Sequence, residues 1–264
     1  MLSRRDFITR GGPSLGGLFM ATLAGPLWSG QEKAKSGITI TGVKTFVAKS
    51  ATFVKVETNS GHCGWGEADH DYPSLTAAVI REICTPQVLG QDPFDTEALW
   101  MRMYFKGEDA GTTGLLPGAI AGVDNALWDL KGRILNLPVY KISGGCPREK
   151  VRVYGSFGRS GGKNGVKAPA EMASIAAAFV EQGYKTVKAR MQIRQLDIDP
   201  DPDPTFAVVA AVRKAIGDEI ELYVDFNNGY TPAKAISISR RLIEHCNIAA
   251  VEEPVSYHDY PGLR

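Results

Sequence analysis

From Ile38 onward, apolar and polar residues alternate along the first part of the chain with the two-residue period of β-strands. Three such stretches follow one another closely, at 38–47, 53–57 and 62–67. Asn59-Ser60-Gly61, between the second and the third, is typical of a turn. Because short links join neighbouring antiparallel strands, the pattern predicts a three-stranded antiparallel meander.

Helical spacing of apolar residues replaces this alternation after the third stretch. Helices are predicted at 74–89, 96–104 and 117–135. In the last of them, the apolar residues recur at three- and four-residue steps and form one stripe: Ile120, Val123, Leu127, Leu130 and Ile134. Strands followed by helices predict a compact α+β capping domain, which we place at 36–147, up to the turn Gly144-Gly145-Cys146-Pro147.

The pattern changes again after Pro147, to a regular alternation of strands and helices. Strands are predicted at 151–154, 186–190, 220–224 and 248–251, and helices at 169–182, 204–216 and 232–246. Such alternation predicts a parallel sheet, and helices this uniform favour a barrel over an open sheet. A closed (β/α)₈ TIM barrel takes about 250 residues. We therefore expect 148–264, with its four strands, to be the first half of a TIM barrel in a truncated chain rather than an unusual half-barrel.

The first thirty residues differ from the rest. Ser3-Arg4-Arg5-Asp6-Phe7-Ile8 precedes a weakly apolar segment at 11–27. This arrangement looks like a twin-arginine export signal, because the apolar part is short and has the flanks of a targeting segment. We exclude 1–30 from the fold and expect an exported, periplasmic protein, held at the membrane only if the signal stays uncleaved. An ordinary disordered N-terminus is the alternative.

Composition and charge narrow the classes of partner. The formal net charge is +1, and Lys and Arg occur in no run longer than a short pair. The chain therefore offers no basic surface for nucleic acid or for an anionic membrane. The four cysteines, Cys63, Cys84, Cys146 and Cys246, include no CxxC pair, so no zinc or redox motif is indicated. We predict them to be core residues, and a disulfide stays open.

Charged and polar residues recur where the strands of the second domain end. Lys188 and Arg190 lie two residues apart, so their side chains project from the same side of a strand. Asp225 and Asn227 follow the next strand, and Glu252 ends the one after it. Carboxylates at the ends of buried strands are costly unless they are paired or bound to a cation, so we predict one shared cation. The structural alternative is that these acids only pair with the two basic residues at a barrel rim.

These strand ends, in their order and spacing, resemble the second to fourth barrel strands of the enolase superfamily, in its mandelate racemase and muconate lactonizing branch. The segments concerned are Lys188-Ala189-Arg190, Asp225-Phe226-Asn227 and Glu252-Glu253-Pro254. Three further segments resemble the N-terminal domain of that branch: Gly64-Trp65-Gly66-Glu67-Ala68, 121–132 and Gly144-Gly145. Each motif is weak alone, but together they cover nearly everything after the export signal.

The resemblance implies an enzyme that abstracts a proton next to a carboxylate, with Mg²⁺ stabilising the enediolate that results. By position, it implies that Asp225 and Glu252 are ligands of the Mg²⁺ ion, with a third acidic ligand on a later strand that this chain lacks. Arg190 stands where the family usually has a second lysine, commonly a base. Since a guanidinium hardly deprotonates, we expect Arg190 to clamp the substrate. Lys188 is expected either to bind the substrate carboxylate or to act as the base.

The resemblance also suggests a subfamily. The very short link between the first two strands and the segment Leu89-Gly90-Gln91-Asp92-Pro93 are similar to sugar-acid dehydratases of the galactonate type, which carry histidine where Asn227 stands. We expect a dehydratase of a small sugar-acid substrate, with Asn227 as a candidate catalytic residue or only a turn residue. A racemase or epimerase, with a second base facing Lys188, is one alternative, and an inactive truncated product is the other. The complete parent is expected to be a homo-oligomer, and the open strand edges here predict association or poor solubility.

Overall fold

The computed structural model describes residues 36–69, 71–161, 166–193 and 197–264. The chain divides into two units, and the boundary lies between Pro147 and Arg148. The segment 1–30, for which we predict an export signal, lies outside the described residues. Among the helices of the described ranges, none is both long enough and apolar enough to cross a membrane.

The first unit opens with an antiparallel sheet. Its strands are β1 (Ile40–Ala48), β2 (Ala51–Thr58) and β3 (Cys63–Ala68), and they lie side by side in that order. The predicted meander is therefore confirmed. Val54 and Val56 on β2 are fully buried, and the residues that alternate with them are not, so one face of the sheet covers the core.

Helices make up the rest of the first unit. They are α1 (Pro73–Val79), α2 (Thr85–Val88), α3 (Thr96–Gly107), α4 (Leu115–Leu135) and α5 (Val139–Ile142), with a π-helical turn at Ile80–Cys84 and a 3₁₀ turn at Glu108–Ala110. The helix predicted at 74–89 is thus interrupted by a wider turn. Pro86 would crowd the carbonyl four residues earlier, and the N–H of Thr85 bonds the Ile80 carbonyl five residues back.

Helix α4 forms the centre of this unit. The predicted stripe is confirmed, with four of its residues buried and the fifth packed at the edge of the core: Ile120, Val123, Leu127, Leu130 and Ile134. Strand β3 packs closely against α4 because Gly64 and Gly66 face the helix. A Cβ atom on Gly66 would overlap the carbonyl oxygen of Gly122, so only glycine permits this approach of the two backbones.

The second unit is built on a four-stranded parallel sheet. Its strands, in spatial order, are β4 (Gly155–Gly158), β5 (Thr186–Arg190), β6 (Glu221–Asp225) and β7 (Ala250–Glu252). The helices between them are α6 (Pro169–Glu181), α7 (Thr205–Ile216) and α8 (Pro232–Cys246). Apolar side chains of these helices and strands share one core. This is the arrangement of a partial (β/α)₈ barrel, as the sequence predicts.

The predicted strand at 151–154 was wrong, because the first strand of the second unit begins at Gly155. Val151 and Val153 are 73% and 62% exposed, so their apolar side chains do not reflect burial in a sheet. The ladder with β5 runs from Gly155, opposite Val187, to the end of β4. The Phe179 ring occupies the place where a side chain at Gly155 would lie, and this fixes the glycine there.

The cysteines are only partly core residues. Cys84 and Cys246 are buried as predicted, Cys63 is partly buried, and Cys146 is exposed, contrary to the prediction. Burial raises the pKa of the Cys84 thiol to about 12. That thiol therefore stays protonated at neutral pH and behaves as a small apolar side chain.

Candidate functional site

The register of the parallel sheet brings three charged strand ends into one row. Arg190 at the end of β5 is paired with Asp225 at the end of β6, and Asp225 with Glu252 at the end of β7. Lys188 lies two residues before Arg190, so its side chain leaves the sheet on the same side. Four predicted site residues thus meet at the carboxyl edge of the sheet.

Lys188 lies at the centre of this cluster. It is only 7% exposed. Its Nζ donates hydrogen bonds to both Oε1 and Oε2 of Glu252 at 2.8 Å and lies 3.4 Å from Oδ2 of Asp225. The ring centroid of Tyr154 is 5.5 Å from the same nitrogen. The cost of burying the ammonium group is therefore offset by two carboxylates and an aromatic face.

Burial and neighbouring charges act in opposite directions on the pKa of Lys188. Burial lowers the pKa, because the charged form loses its hydration. The hydrogen bond to Glu252 and the negative charges of Asp225 and Glu252 raise it, and together they outweigh burial. The pKa therefore lies above its ordinary value, and in this arrangement Lys188 is an ammonium ion at neutral pH.

Asp225 is the buried acid of the cluster, with 2% of its surface exposed. Its Oδ2 faces two cations, 3.4 Å from Nζ of Lys188 and 3.4 Å from Nε of Arg190. Its Oδ1 accepts a hydrogen bond from the N–H of Asn227 at 2.9 Å. The side chain of Arg190 is 40% exposed. The guanidinium can therefore meet an anion that arrives from solvent while it stays beside Asp225.

Asn227 lies beside the cluster, but its side chain is engaged with a neighbouring loop. Its backbone is left-handed, with φ at 55°. Its Oδ1 accepts a hydrogen bond from the backbone N–H of Gln192 at 2.7 Å. The structure thus joins Asn227 to the loop after β5, and the catalytic role suggested for it stays a prediction.

Sequence reasoning missed two residues near the cluster: Tyr154, which directly precedes β4 and places its ring beside Lys188, and Gln192, which follows β5. Tyr154 was assigned to a strand that does not form, so its place beside Lys188 was not foreseen. Gln192 stands two residues after the end of β5, the same position that Asn227 has after β6. This shared position is the signal in the sequence that could have identified Gln192.

The two carboxylates of the cluster converge on one point, which Lys188 Nζ holds. Carboxylate oxygens that converge on one cation are the ligands a hard divalent ion takes. In the part of the chain that the structure describes, no three His, Cys, Asp or Glu side chains are grouped to hold a metal ion. Asp225 and Glu252 therefore fit a Mg²⁺ site in part, and further ligands have to come from water, from a substrate or from other residues.

Two acidic residues of the loop after β5, Asp199 and Asp203, are tied to the fold. Asp199 accepts hydrogen bonds from the N–H and the hydroxyl of Thr231 at 2.9 and 2.7 Å. Asp203 accepts a hydrogen bond from the hydroxyl of Tyr230 at 2.9 Å and lies 3.7 Å from Nζ of Lys234. These bonds hold the loop after β5 against the loop after β6.

Two family models match the chain. The mandelate racemase / muconate lactonizing enzyme N-terminal domain matches residues 31–144. The enolase C-terminal domain-like family matches residues 171–264. The two matches fall in the two structural units, with the α+β unit first.

Curated relatives and a solved structure agree with this assignment. D-galactonate dehydratase of Pectobacterium atrosepticum is 33% identical over 205 residues, which are 77% of this chain and 51% of the relative. D-galactarolactone cycloisomerase of Agrobacterium fabrum is 34% identical over 212 residues, 80% of this chain and 52% of the relative. A mandelate racemase/muconate lactonizing protein of Paracoccus denitrificans, solved in complex with magnesium, superposes with a TM-score of 0.77 at 30% identity and covers 85% of this chain and 61% of its own. The chain spans about half the length of the curated relatives it matches.

Proposed function

Because this chain belongs to the mandelate racemase/muconate lactonizing enzyme branch of the enolase superfamily, we propose that it carries part of a Mg²⁺-dependent site for sugar acids. The reaction we propose for the whole enzyme is dehydration. The proton next to the carboxylate and the hydroxyl group on the following carbon leave as water, and the resulting enol becomes a keto acid. One relative of this chain is named D-galactonate dehydratase, and this supports dehydration as the reaction.

The observation that carries the proposal is the cluster of Lys188, Arg190, Asp225 and Glu252 at the carboxyl edge of three adjacent parallel strands. It combines two acids, one of them buried, with two cations, one of which reaches solvent. Acids supply ligands for a divalent ion, and cations supply contacts for a substrate carboxylate. A single edge of the sheet thus holds both kinds of group that the reaction needs.

Asp225 and Glu252 are the residues that would hold Mg²⁺. Bound there, the ion would supply the positive charge that makes a proton next to a carboxylate easier to remove. Asp225 is almost fully buried, whereas the side chain of Glu252 is half-exposed and is held by Lys188. We infer that Asp225 fixes the place of the ion and that Glu252 adjusts to it.

Lys188 and Arg190 divide the remaining tasks. A guanidinium keeps its charge at all relevant pH values and binds carboxylates through two parallel hydrogen bonds. We therefore assign the substrate carboxylate to Arg190, whose side chain is 40% exposed. Of the two, only Lys188 has a nitrogen that can become neutral and accept a proton, so a base supplied by β5 is Lys188. Since Asp225 and Glu252 are the groups that raise the pKa of Lys188, a Mg²⁺ ion bound to them would favour its neutral form.

Isomerisation is the second candidate reaction. It is favoured by the similarity to a D-galactarolactone cycloisomerase, which is as high as that to the dehydratase. Both reactions begin with removal of a proton next to a carboxyl group in this proposal. They differ in whether the substrate loses water or only rearranges its own atoms, and hence in the mass of the product.

Titration calorimetry with Mg²⁺ tests the metal site. We expect the chain to bind Mg²⁺, and we expect Asp225→Asn and Glu252→Gln each to weaken binding at least about tenfold. Glu171→Gln, which changes an exposed carboxylate in the first turn of α6, is the matched control and should leave binding unchanged. Equal binding by all four proteins would refute the metal site.

Product analysis tests the reaction. The chain, and any longer product of the same gene, would be incubated with a panel of sugar acids and Mg²⁺. Mass spectrometry separates the two reactions, because dehydration gives a keto acid lighter than the substrate by one water molecule, whereas isomerisation gives a product of unchanged mass. Formation of a keto acid with loss of water would support dehydration. An epimer or a lactone as the product would favour the second candidate.

A further inference from the structure

A chain of hydrogen bonds runs along the carboxyl edge of the second unit, outside the strands themselves. Ser160, Gln192 and Asn227 each stand two residues after the end of a strand, namely β4, β5 and β6. The N–H of Ser160 donates to Oε1 of Gln192. The N–H of Gln192 in turn donates to Oδ1 of Asn227 at 2.7 Å. We call these three residues the amide relay, since the same contact recurs at two successive junctions between strands.

Both side chains that accept in the amide relay belong to residues with left-handed backbones. Gln192 and Asn227 each have φ at 55°. Asparagine adopts this conformation at little cost, but glutamine does so rarely. Energetically unfavourable backbone conformations persist where surrounding structure enforces them, and they concentrate at functional sites. The unfavourable backbone of Gln192 therefore indicates that its contact with the loop after β6 is enforced by the surrounding structure.

The repeat changes at the fourth strand. The residue two positions after β7 is Pro254, whose side chain has no hydrogen-bond acceptor. The N–H of Asn227 therefore has no relay partner there and donates to Oδ1 of Asp225 at 2.9 Å. The amide relay thus ends on the buried carboxylate of the site.

This end point decides which oxygen Asp225 presents to a cation. Since Oδ1 is engaged by Asn227, Oδ2 is the atom that faces Lys188 and Arg190, 3.4 Å from each. Carboxylates that bind metals are commonly held by such hydrogen bonds from residues behind them. Loss of those bonds typically weakens metal binding about 10- to 100-fold.

We propose that Gln192 and Asn227 are positioning residues, which hold Asp225 through the amide relay so that Oδ2 meets a divalent cation. The inference rests on the proposed function, because it takes Asp225 as a Mg²⁺ ligand. It gives Asn227 the task of joining the loops after β5 and β6 to this ligand.

Asn227→Gly tests the first link. Glycine accepts the left-handed backbone and keeps the N–H that bonds Asp225, but it removes the oxygen that accepts from Gln192. We expect faster solvent exchange of the Gln192 N–H, followed by NMR, and an increase of about tenfold in the Kd for Mg²⁺. Asn247→Gly is the matched control, because Asn247 is also left-handed, with φ at 45°, but lies at the end of α8. It should change neither quantity.

Substitutions of Gln192 test whether the side-chain oxygen is what matters. Gln192→Met keeps the length of the side chain and removes the acceptor, whereas Gln192→Glu keeps an acceptor oxygen. We expect Gln192→Met to speed exchange of the Ser160 and Asn227 N–H groups and to raise the Kd for Mg²⁺ about tenfold. Gln192→Glu should restore both. If the Gln192 side chain had only a structural role, Gln192→Met and Gln192→Glu would both lower Tm and the affinity for Mg²⁺, and Gln192→Glu would restore neither.

The outcomes separate this inference from the function on which it rests. A parent chain that binds no Mg²⁺ overturns the metal site, and the exchange of the Asn227 N–H in Gln192→Met then decides the relay alone. Faster exchange there supports the hold on Asp225, and unchanged exchange overturns it. If the parent binds Mg²⁺, an unchanged Kd in both Asn227→Gly and Gln192→Met overturns the positioning role.

Discussion

The two units of the chain bury different kinds of polar residue. Among the described residues, the buried polar side chains of the first unit are threonines: Thr52, Thr58, Thr76 and Thr96. The second unit also buries Lys188, Arg213 and Asp225. A buried charge costs far more free energy than a buried hydroxyl unless it is paired. Close packing is enough to explain the core of the first unit, whereas the buried charged side chains of the second unit require partners.

The two buried cations among the described residues of the second unit differ in those partners. Arg213 lies at the amino ends of β6 and β7 and donates to four backbone carbonyls, those of Cys246, Gly217, Ile220 and Asn247, at 2.6 to 2.9 Å. Lys188 lies toward the carboxyl ends and faces carboxylates. Three of these carbonyls, those of Cys246, Asn247 and Gly217, lie at or just beyond the ends of two helices, where no helical N–H is left to bond them, and that of Ile220 directly precedes β6. We infer that partners, rather than burial, separate a structural cation from a functional one.

Arg213→Met is the substitution with the largest expected effect. It would leave these four carbonyls without their donor, and we expect a loss of about 4 kcal/mol in the free energy of unfolding of the second unit. Tryptophan fluorescence is the wrong probe, since every tryptophan precedes residue 148. Hydrogen exchange of α7 and α8 in increasing urea measures the loss directly.

Arg213→Lys is the control for the geometry of the guanidinium. The lysine keeps the charge but cannot reach four carbonyls with one rigid fork, so we expect roughly half of the loss. If Arg213→Lys cost nothing, charge alone would account for the effect of Arg213→Met, and the contrast with Lys188 would fail.

Gly66→Ala tests the opposite claim, that packing holds the first unit. The added methyl group would overlap the backbone of α4 at Gly122, where no side chain can yield. We expect a loss of about 3 kcal/mol, measured by urea unfolding with fluorescence of Trp65, Trp100 and Trp128. Gly61→Ala is the comparison, since no atom lies near a Cβ there and only its left-handed backbone opposes the change. A smaller loss for Gly66→Ala than for Gly61→Ala would contradict the packing argument.

Much of the fold could be predicted because periodicity reports burial. The stripe of α4 and the strand β5 follow from spacing alone, and Asp225 and Glu252 were found because acids at the ends of apolar strands are conspicuous. The strand at 151–154 was mispredicted for the same reason. Apolar residues there lie exposed beside β4, and alternation cannot distinguish an exposed apolar residue from a buried one.

The amide relay and the Arg213 contacts could not be predicted in this way. Both depend on which backbone N–H or carbonyl groups meet after folding, and residue types do not encode that directly. The position of Gln192 and Asn227, two residues after successive strand ends, becomes meaningful only when the strand ends are known. The charged residues at the strand ends could be predicted from the sequence, whereas the contacts between loops could be identified only once the register of the sheet was known.

Lys188→Met sharpens the comparison of the two cations. Asp225 would keep Arg190 and the N–H of Asn227 as partners, and Glu252 would turn to solvent. We therefore expect a loss of only about 2 kcal/mol, clearly below that for Arg213→Met. Mg²⁺ should stabilise Lys188→Met more than the parent, because the ion no longer competes with the ammonium for the two carboxylates. Urea unfolding with and without Mg²⁺, followed by hydrogen exchange of β5, measures both effects, and a loss equal to that of Arg213→Met would remove the distinction.

Asp124→Asn gives the smallest effect, and its sign is opposite to the others. Burial, with the charge of Glu97, raises the pKa of the Asp124 carboxyl despite the nearby Lys131. The folded state therefore holds this proton to higher pH than the unfolded state, so stability falls as pH rises from the unfolded pKa through the folded one, and the cost remains at pH 7. The asparagine side chain carries no charge, and we expect unfolding of this variant at pH 7 to require about 0.5 kcal/mol more.

Asp129→Asn on the same helix should instead destabilise, because Asp129 accepts hydrogen bonds from Trp65 N–H and Arg133. Urea unfolding between pH 4 and pH 7, followed by tryptophan fluorescence, measures the free energy of unfolding of both variants. If both variants were stabilised, or both destabilised, the effect would come from asparagine in helix α4 and not from the charge that it removes.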